Sequence, residues 1–324
     1  MSAIKVSIAM ATYNGLPFIE EQLESLAVQS RLPDELVVND DCSRDETAAA
    51  VTRFARAAPF PVKFERNTQN LGFNGNFAHV LSRCAGDILL ISDQDDIWYP
   101  NKISEVVEAF SKHPEILGVI HDEHITGNNF EMLPETFLDN LRRVGYPEAY
   151  FVAGNCTAIR RSALPLLLPI PDGANYDGWI AEVLDVLGAR LVLHKPLILY
   201  RRHDRNATQP ELACANPSAW AIAAKYRLAD ARAGWAREVM RLRELRSRLL
   251  DQTVYVDTLI GAARSQLAIN KIETKILRVE KRIGLVDRGR LARLPFVLQL
   301  WSTGFYSQFA GWKSALKDLI RPSH

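Results

Sequence analysis

The chain has 324 residues, 24% of them charged, and a formal net charge of +1 at pH 7. This length suits one large domain or two unequal ones, and the composition is that of an ordinary soluble globular protein. A charge so near zero gives no reason to expect a nucleic acid partner. The charge is unevenly placed, however. Residues 216–324 hold 20 basic and 9 acidic side chains, against 19 and 29 in residues 1–215. An acidic body with a basic tail follows. The four cysteines, Cys42, Cys84, Cys156 and Cys214, form no CxxC pair, which argues against a zinc site or a disulfide framework. The chain reaches a strand pattern by Ile4 without a charged leader and apolar core, so no signal peptide is expected. No apolar run is long enough for a membrane span.

In chain order, "IKVSIAMAT" (4–12) reads as a buried strand and "PFIEEQLESLAVQS" (17–30) as a helix with apolar Ile19, Leu23 and Leu26. "ELVVND" (35–40) is a second strand. "RDETAAAVTRFARAA" (44–58) is a helix with acids first and basic residues last. "VKFERN" (62–67), "FNGNFAHVLSRC" (73–84) and "DILLISD" (87–93) continue the alternation. Short apolar strands between amphipathic helices predict an α/β layer with a mostly parallel sheet. From about residue 216 the chain turns Ala-, Arg- and Leu-rich and helical, and 294–320 is apolar and aromatic with few charges. The expected organisation is a catalytic domain over 1–215 and a basic helical region over 216–324. That region would serve membrane association or oligomerisation.

The polar clusters follow the strands. "TYN" (12–14), "NDDCSRD" (39–45), "NTQNLG" (67–72) and "SDQDD" (92–96) each sit at a strand's carboxyl end, where ligands of open α/β sheets gather. No G-x-G-x-x-G follows the first strand and no P-loop is present, so phosphates are not cradled by glycines. Asp93, Asp95 and Asp96 admit two readings. They are a solvated acidic turn before the helix at Ile103, or oxygen ligands for Mg²⁺ or Mn²⁺ that join the protein's negative charge to a phosphate. Asp177 begins a helix pattern, either as a cap or as an oriented carboxylate. Arg201, Arg202, His203 and Arg205 cluster in "YRRHDRN", and Arg forks suit phosphate oxygens.

The ordered series "TYN", "DDCSRD", "NLGFNGN" and "SDQDDIWYP" resembles the family 2 glycosyltransferases of GT-A fold. "GNCTAIRR" (154–161), "NYDGW" (175–179) and "KPLILYRRHDRN" (195–206) are similar to a bacterial rhamnosyltransferase-like branch. The resemblance covers about residues 4–206. It implies that Thr12, Tyr13, Asn14, Asp40, Asp41, Asn70, Gly72, Asn76 and Asp93 bind the donor nucleotide. Asp41 would meet the pyrimidine base, and Asp40 would alternatively fix the turn. Asp95 would be the principal metal ligand, helped by Asp93, Asp96 and His203. Arg201 and Arg202 would reach the diphosphate, and Asp177 would be the catalytic base. Ala11, Cys42 and Arg44 depart from the family's usual Pro, Gly and Thr, which touches the shape of the base loop.

The expected activity is a metal-dependent, inverting transfer from a UDP- or dTDP-sugar, with dTDP-L-rhamnose favoured. The expected acceptor is a surface glycan or a lipid-linked glycan, reached from the cytoplasmic face of the membrane. Two rivals are a sugar-phosphate nucleotidyltransferase and a degenerate glycan-binding module. The first would need a basic loop after the first strand, and "TYNGLPFIEE" has no Lys or Arg. The tail's Phe296, Trp301, Phe305, Tyr306, Phe309 and Trp312, with its basic residues, predict docking on an anionic bilayer or packing in a homo-oligomer.

Overall fold

The apolar runs after Ile4 become strands covered on both faces. In the computed structural model, β1 (Val6–Thr12), β2 (Glu35–Asp40) and β4 (Ile88–Ser92) are buried at nearly every residue. That is the pattern of parallel strands sandwiched by helices. The structure describes residues 4–126, 131–204, 206, 231–308 and 311–321, and the expected roles of Arg205, Cys214 and Phe309 fall outside them. With β3 (Val62–Arg66), these strands pair in parallel in the order β3-β2-β1-β4.

The sheet continues through β8 (Thr157–Arg160), β6 (Gly118–Thr126), β9 (Arg190–Tyr200) and the two-residue β5 (Ile97–Trp98), with β7 (Met132–Thr136) beside β6. β8 is antiparallel to both β4 and β6, while β9 is parallel to β6. Strands β1 to β4, β6 and β9 therefore run one way, and β5, β7 and β8 run the other. The alternation of strand and helix could not foretell β8, which inserts between elements distant in sequence.

Helices α1 (Ile19–Ala27), α2 (Thr47–Ala57), α3 (Gly72–Arg83) and α4 (Lys102–Lys112) connect or follow the first strands. α5 (Phe137–Arg143), α6 (Leu164–Leu167) and α7 (Tyr176–Val186) belong to the second half. α5 opens with a capping box, Thr136 accepting from the Asp139 N–H and Asp139 returning to Thr136. One core runs through this part, from Val6, Ile8 and Met10 on β1 through Trp98, Ile103 and Phe110 to Phe137 and Phe151.

The chain divides into two compact units, Met1–Pro217 and Ser218–His324. The second is helical among its described residues: α8 (Ala231–Asp251), α9 (Thr253–Ile260), α10 (Ala262–Val286), α11 (Arg290–Ser302) and α12 (Trp312–Ile320). On α8, Val239, Leu242, Leu245 and Leu249 are buried, and on α10 Ile269, Ile272, Ile276 and Val279. These are one-face spacings. Ion pairs Arg243–Glu280, Arg246–Glu273 and Lys275–Glu238 run between the same two helices, so much of the tail's positive charge is locally paired.

Asp318 is fully buried and takes both forks of Arg282, at 2.9 and 2.7 Å. Removing one partner strands the other's charge in the interior. Asp318→Ala is therefore expected to lower stability by about 3–5 kcal/mol. Urea unfolding measures this, and a wild-type midpoint would contradict the importance of the pair.

Candidate active site

Strand ends and three buried asparagines build one end of the site. Asn67 Nδ2 donates to Asp41 Oδ1 and to Asn76 Oδ1, both at 2.9 Å. Asn39 Nδ2 donates to Asn67 Oδ1, and Asn76 Nδ2 to the Asn39 carbonyl. The Leu71 N–H adds a second donor to Asp41 Oδ1 at 2.7 Å. One oxygen of Asp41 is thus fixed by the protein, and Oδ2 has no such bond among the described residues. Asn70 braces the Asp41 carbonyl, and Gly72, at φ +69°, starts α3 beside it. Asn39 and Asn67 escaped the sequence reading because amides inside strand ends carry no spacing signal.

Asp40 is buried and turned away from the cavity. It accepts from Thr12 Oγ1 at 3.0 Å, from the Ser43 N–H at 3.0 Å and from Ser43 Oγ. Its position makes it the turn-fixing acid rather than a wall of the site. Asn14, at φ 49°, likewise stitches loops together: its N–H donates to Ser43 Oγ and its Oδ1 accepts from the Arg44 N–H. Tyr13 does line the cavity, and its backbone is held by a residue the sequence reading passed over. Gln94 Oε1 accepts from the Tyr13 N–H and Gln94 Nε2 donates to its carbonyl, at 2.9 and 3.0 Å.

These loops enclose a cavity of about 580 Å³, within the ~300–1,000 Å³ typical of ligand sites. Among the described residues its wall carries Asp41, Asp93, Asp95, Glu123 and Asp177 against a single cation, Arg44. Oxygens of Asp93, Asp95 and Asp96 lie within 4.8 Å of one another. Burial, then the charges of Asp95 and Asp96, hold the Asp93 carboxyl well above the usual range. Burial and the charge of Asp95 push Asp96 up to about 7. The cluster is therefore not a solvated turn. Nor does it cap α4, whose N-cap position belongs to Asn101. An all-oxygen set of three crowded carboxyls fits a hard divalent cation. Asp93 and Asp95 face the cavity. Asp96 lies behind them, accepting from Asn155 Nδ2 at 2.7 Å and from the Arg201 N–H.

His203 Nε2 lies 2.9 Å from Asp95 Oδ2, and its ring stacks on Phe18 at 4.3 Å. Asn206, unforeseen, also reaches Asp95 and lines the cavity. The two arginines expected at a diphosphate are elsewhere. Arg201 is paired with Glu21 at 2.6 Å and lies over the Phe18 ring. Arg202 is tied by its N–H to Thr126 Oγ1, and neither lines the cavity. A cluster of basic residues in sequence says nothing about which sheet face each will take. The cation on the wall is Arg44, from the turn after β2.

Asp177 stands in the first turn of α7, and Asn175, not Asp177, occupies the N-cap position. Burial raises its carboxyl above the ordinary value, opposed by the Gly178 N–H that donates to Oδ1 at 2.7 Å. The start of α7 is clamped to α3. Asn74 Oδ1 accepts from the Tyr176 N–H and Asn74 Nδ2 donates to the Ala174 carbonyl, both at 2.8 Å. The Tyr176 ring stacks on Phe77 at 4.0 Å. Glu123, on β6, lines the same cavity deeper in. Burial and Asp96 push it up to about 8, and its Oε2 accepts from Cys156 Sγ.

Residues 7–167 match the family model described as Glycosyl transferase family 2. That segment belongs to glycosyl transferase family 2. Among curated relatives of this chain, Rv1520 of Mycobacterium tuberculosis is 27% identical over 205 residues, covering 61% of this chain and 59% of the relative. The match thus spans about three-fifths of that relative's length. A dTDP-rhamnosyl transferase, RfbG of Shigella flexneri, is 33% identical over 104 residues, or 31% of this chain and 36% of RfbG. The solved structure of S. aureus TarS 1–349 in complex with UDP superimposes with a TM-score of 0.52 at 17% identity, covering 86% of this chain and 90% of that one. This likeness shows the fold: a mixed α/β GT-A-like sheet followed by a C-terminal helical region.

Gly154 sets the floor under Tyr176. A Cβ there would fall on the Tyr176 hydroxyl, and overpacking of this kind costs about 1–3 kcal/mol. Gly154→Ala is expected to destabilise the protein by that amount in urea. A variant as stable as wild type would show that the start of α7 is not held as described.

Proposed function

We propose that the chain is a metal-dependent, inverting glycosyltransferase that takes its sugar from a UDP- or dTDP-sugar. The observation that carries this reading is one cavity whose wall carries three separate carboxylate stations: Asp41, Asp93 with Asp95, and Asp177. Asp41 offers its unengaged Oδ2 to the N3–H of uracil or thymine, which cytosine lacks, so CDP donors are rejected. Asp93 and Asp95 would hold Mg²⁺ or Mn²⁺, with His203 and Asn206 steadying Asp95. When bound, the ion would supply Lewis-acid charge for the departing diphosphate. Asp177 accepts the proton of the acceptor hydroxyl as its oxygen bonds to the anomeric carbon and the bond to the diphosphate breaks. A raised carboxyl pKa suits a general base, and the N-terminal end of α7 favours its charged form.

The favoured donor is dTDP-L-rhamnose. The cavity lining also includes apolar Phe137, Val152 and Ala153 and polar Glu123 and Asn155. A 6-deoxyhexose has the matching methyl and hydroxyls. The partial relationship to a dTDP-rhamnosyl transferase points the same way. The proposed acceptor is a surface or lipid-linked glycan, met at the cytoplasmic face of the membrane.

Incubation with UDP-, dTDP-, GDP- and CDP-sugars and Mn²⁺, followed by measurement of released diphosphate, tests the reading. Asp177→Asn is expected to lower turnover at least about a hundredfold with donor affinity unchanged. The wild-type rate should fall as Asp177 is protonated, along an acid limb that lies above the ordinary value of 3.8 and is missing from the variant. Normal turnover by Asp177→Asn, or no release from any donor, would overturn the proposal.

A further inference from the structure

Within the second unit, helix α11 presents an apolar stripe that its described residues leave exposed. Leu291, Leu294, Leu298 and Trp301 are 96, 50, 59 and 48% exposed. Their spacing of three, four and three residues sets them along one side of the helix. The other side is occupied: Val297 packs with Leu285, Tyr306 and Ala315. Buried Arg293 donates to the carbonyls of Arg288, Val286, Asp318 and Arg321. On α12, Leu316 and Ile320, four residues apart, are also exposed.

The structure changes which residues the tail offers. Tyr306, expected among the docking aromatics, is buried, and Phe305 packs against the same small core. Phe296 lies under the Arg288 guanidinium at 3.9 Å. Side chains of Phe309 and Trp312 fall outside the described residues. The exposed apolar surface comes mainly from leucines, which an aromatic count overlooks.

Charge identifies what covers this stripe. Residues 288–321 contain six basic residues and one acid, Asp318. That acid is fully buried and paired with Arg282 and Arg321. Among the side chains described, this segment therefore shows apolar groups with Arg288 and Lys317 and no exposed carboxylate, and Asp287 just before it is paired with Arg232. Scattered exposed leucines are ordinary, but a stripe with a one-signed border marks an interaction surface. A surface both apolar and anionic complements it, and a bilayer rich in acidic phospholipid is both. α11 has 13 residues, about 20 Å of helix, too short for the ~30 Å hydrocarbon core. No described helix is long and apolar enough to cross a membrane.

We propose that α11 lies in the plane of an anionic bilayer, with Leu291, Leu294, Leu298 and Trp301 sunk among the lipid chains and the neighbouring cations at the headgroups. This is independent of the transfer reaction, although a lipid-linked acceptor would give the docking a purpose.

Flotation of the full chain with phosphatidylglycerol vesicles or with pure phosphatidylcholine vesicles, at low and high salt, tests it. Wild type is expected to float with phosphatidylglycerol at low salt, and much less with phosphatidylcholine or at high salt. The double variant Leu294→Glu, Leu298→Glu should bind at least about tenfold less, with its thermal unfolding unchanged because both sites are exposed. Wild type that stays at the bottom of every gradient would overturn the proposal, as would a double variant that floats normally. A wild-type dimer that the double variant converts to monomer, with no vesicle binding by either, would assign the stripe to a second copy of the chain and overturn it too.

Discussion

Mutual repulsion among carboxylates at the end of β4 is the constraint on which the rest of the site depends. Asp93 and Asp96 are held above their ordinary pKa by burial and by their acidic neighbours. Among the described residues, no Lys or Arg is bonded to them on the cavity side. Nearby Lys102 is directed elsewhere, its Nζ donating to the Asn155 carbonyl and sitting 3.6 Å above the Trp98 ring. Burial pulls that ammonium down to about 7, against the charges of Asp96 and Asp93. Such a cluster is relieved either by taking up protons or by a bound cation. The proposed divalent ion would supply that charge and would offer it to a diphosphate.

Rigidity around the cluster comes from amides and hydroxyls rather than from ion pairs. Asn39, Asn67 and Asn76 tie three strand ends together beneath Asp41. Gln94 ties the loop after β1 to the loop after β4. Asn155 links Asp96 to Glu123, coupling the acid cluster to another carboxyl of the cavity lining. Asn74 does the same service for Asp177 by joining α3 to α7. A buried network that is fully satisfied fixes geometry closely, and in the proposed transfer such positioning decides how near the acceptor oxygen comes to the sugar.

The sequence disclosed the first half of the sheet well, because β1, β2 and β4 are apolar runs closed by polar residues and the connecting helices have one-face spacing. It also disclosed the acids, since each follows a strand. It disclosed less where burial depends on distant partners. β8 wedges between β4 and β6, and no periodicity in "TAIR" announces that. Glu123 sits within "GVIHDEHIT", a mixed run that reads as neither a clean strand nor a site. Arg201 and Arg202 looked like phosphate ligands by composition, yet Arg201 is spent on Glu21 and Phe18. Arg44, noted only as a departure from a familiar turn, lines the cavity instead.

The claim that the acid cluster exists to hold a cation against a nucleoside diphosphate is tested most directly by calorimetric titration of dTDP, with Mn²⁺ present and with excess chelator. Binding through a shared ion is reciprocal, so each ligand must strengthen the other by the same factor. The account predicts dTDP affinity at least about tenfold higher with Mn²⁺, and the same gain for Mn²⁺ when dTDP is present. Equal dTDP affinity in chelator and in Mn²⁺ would contradict it.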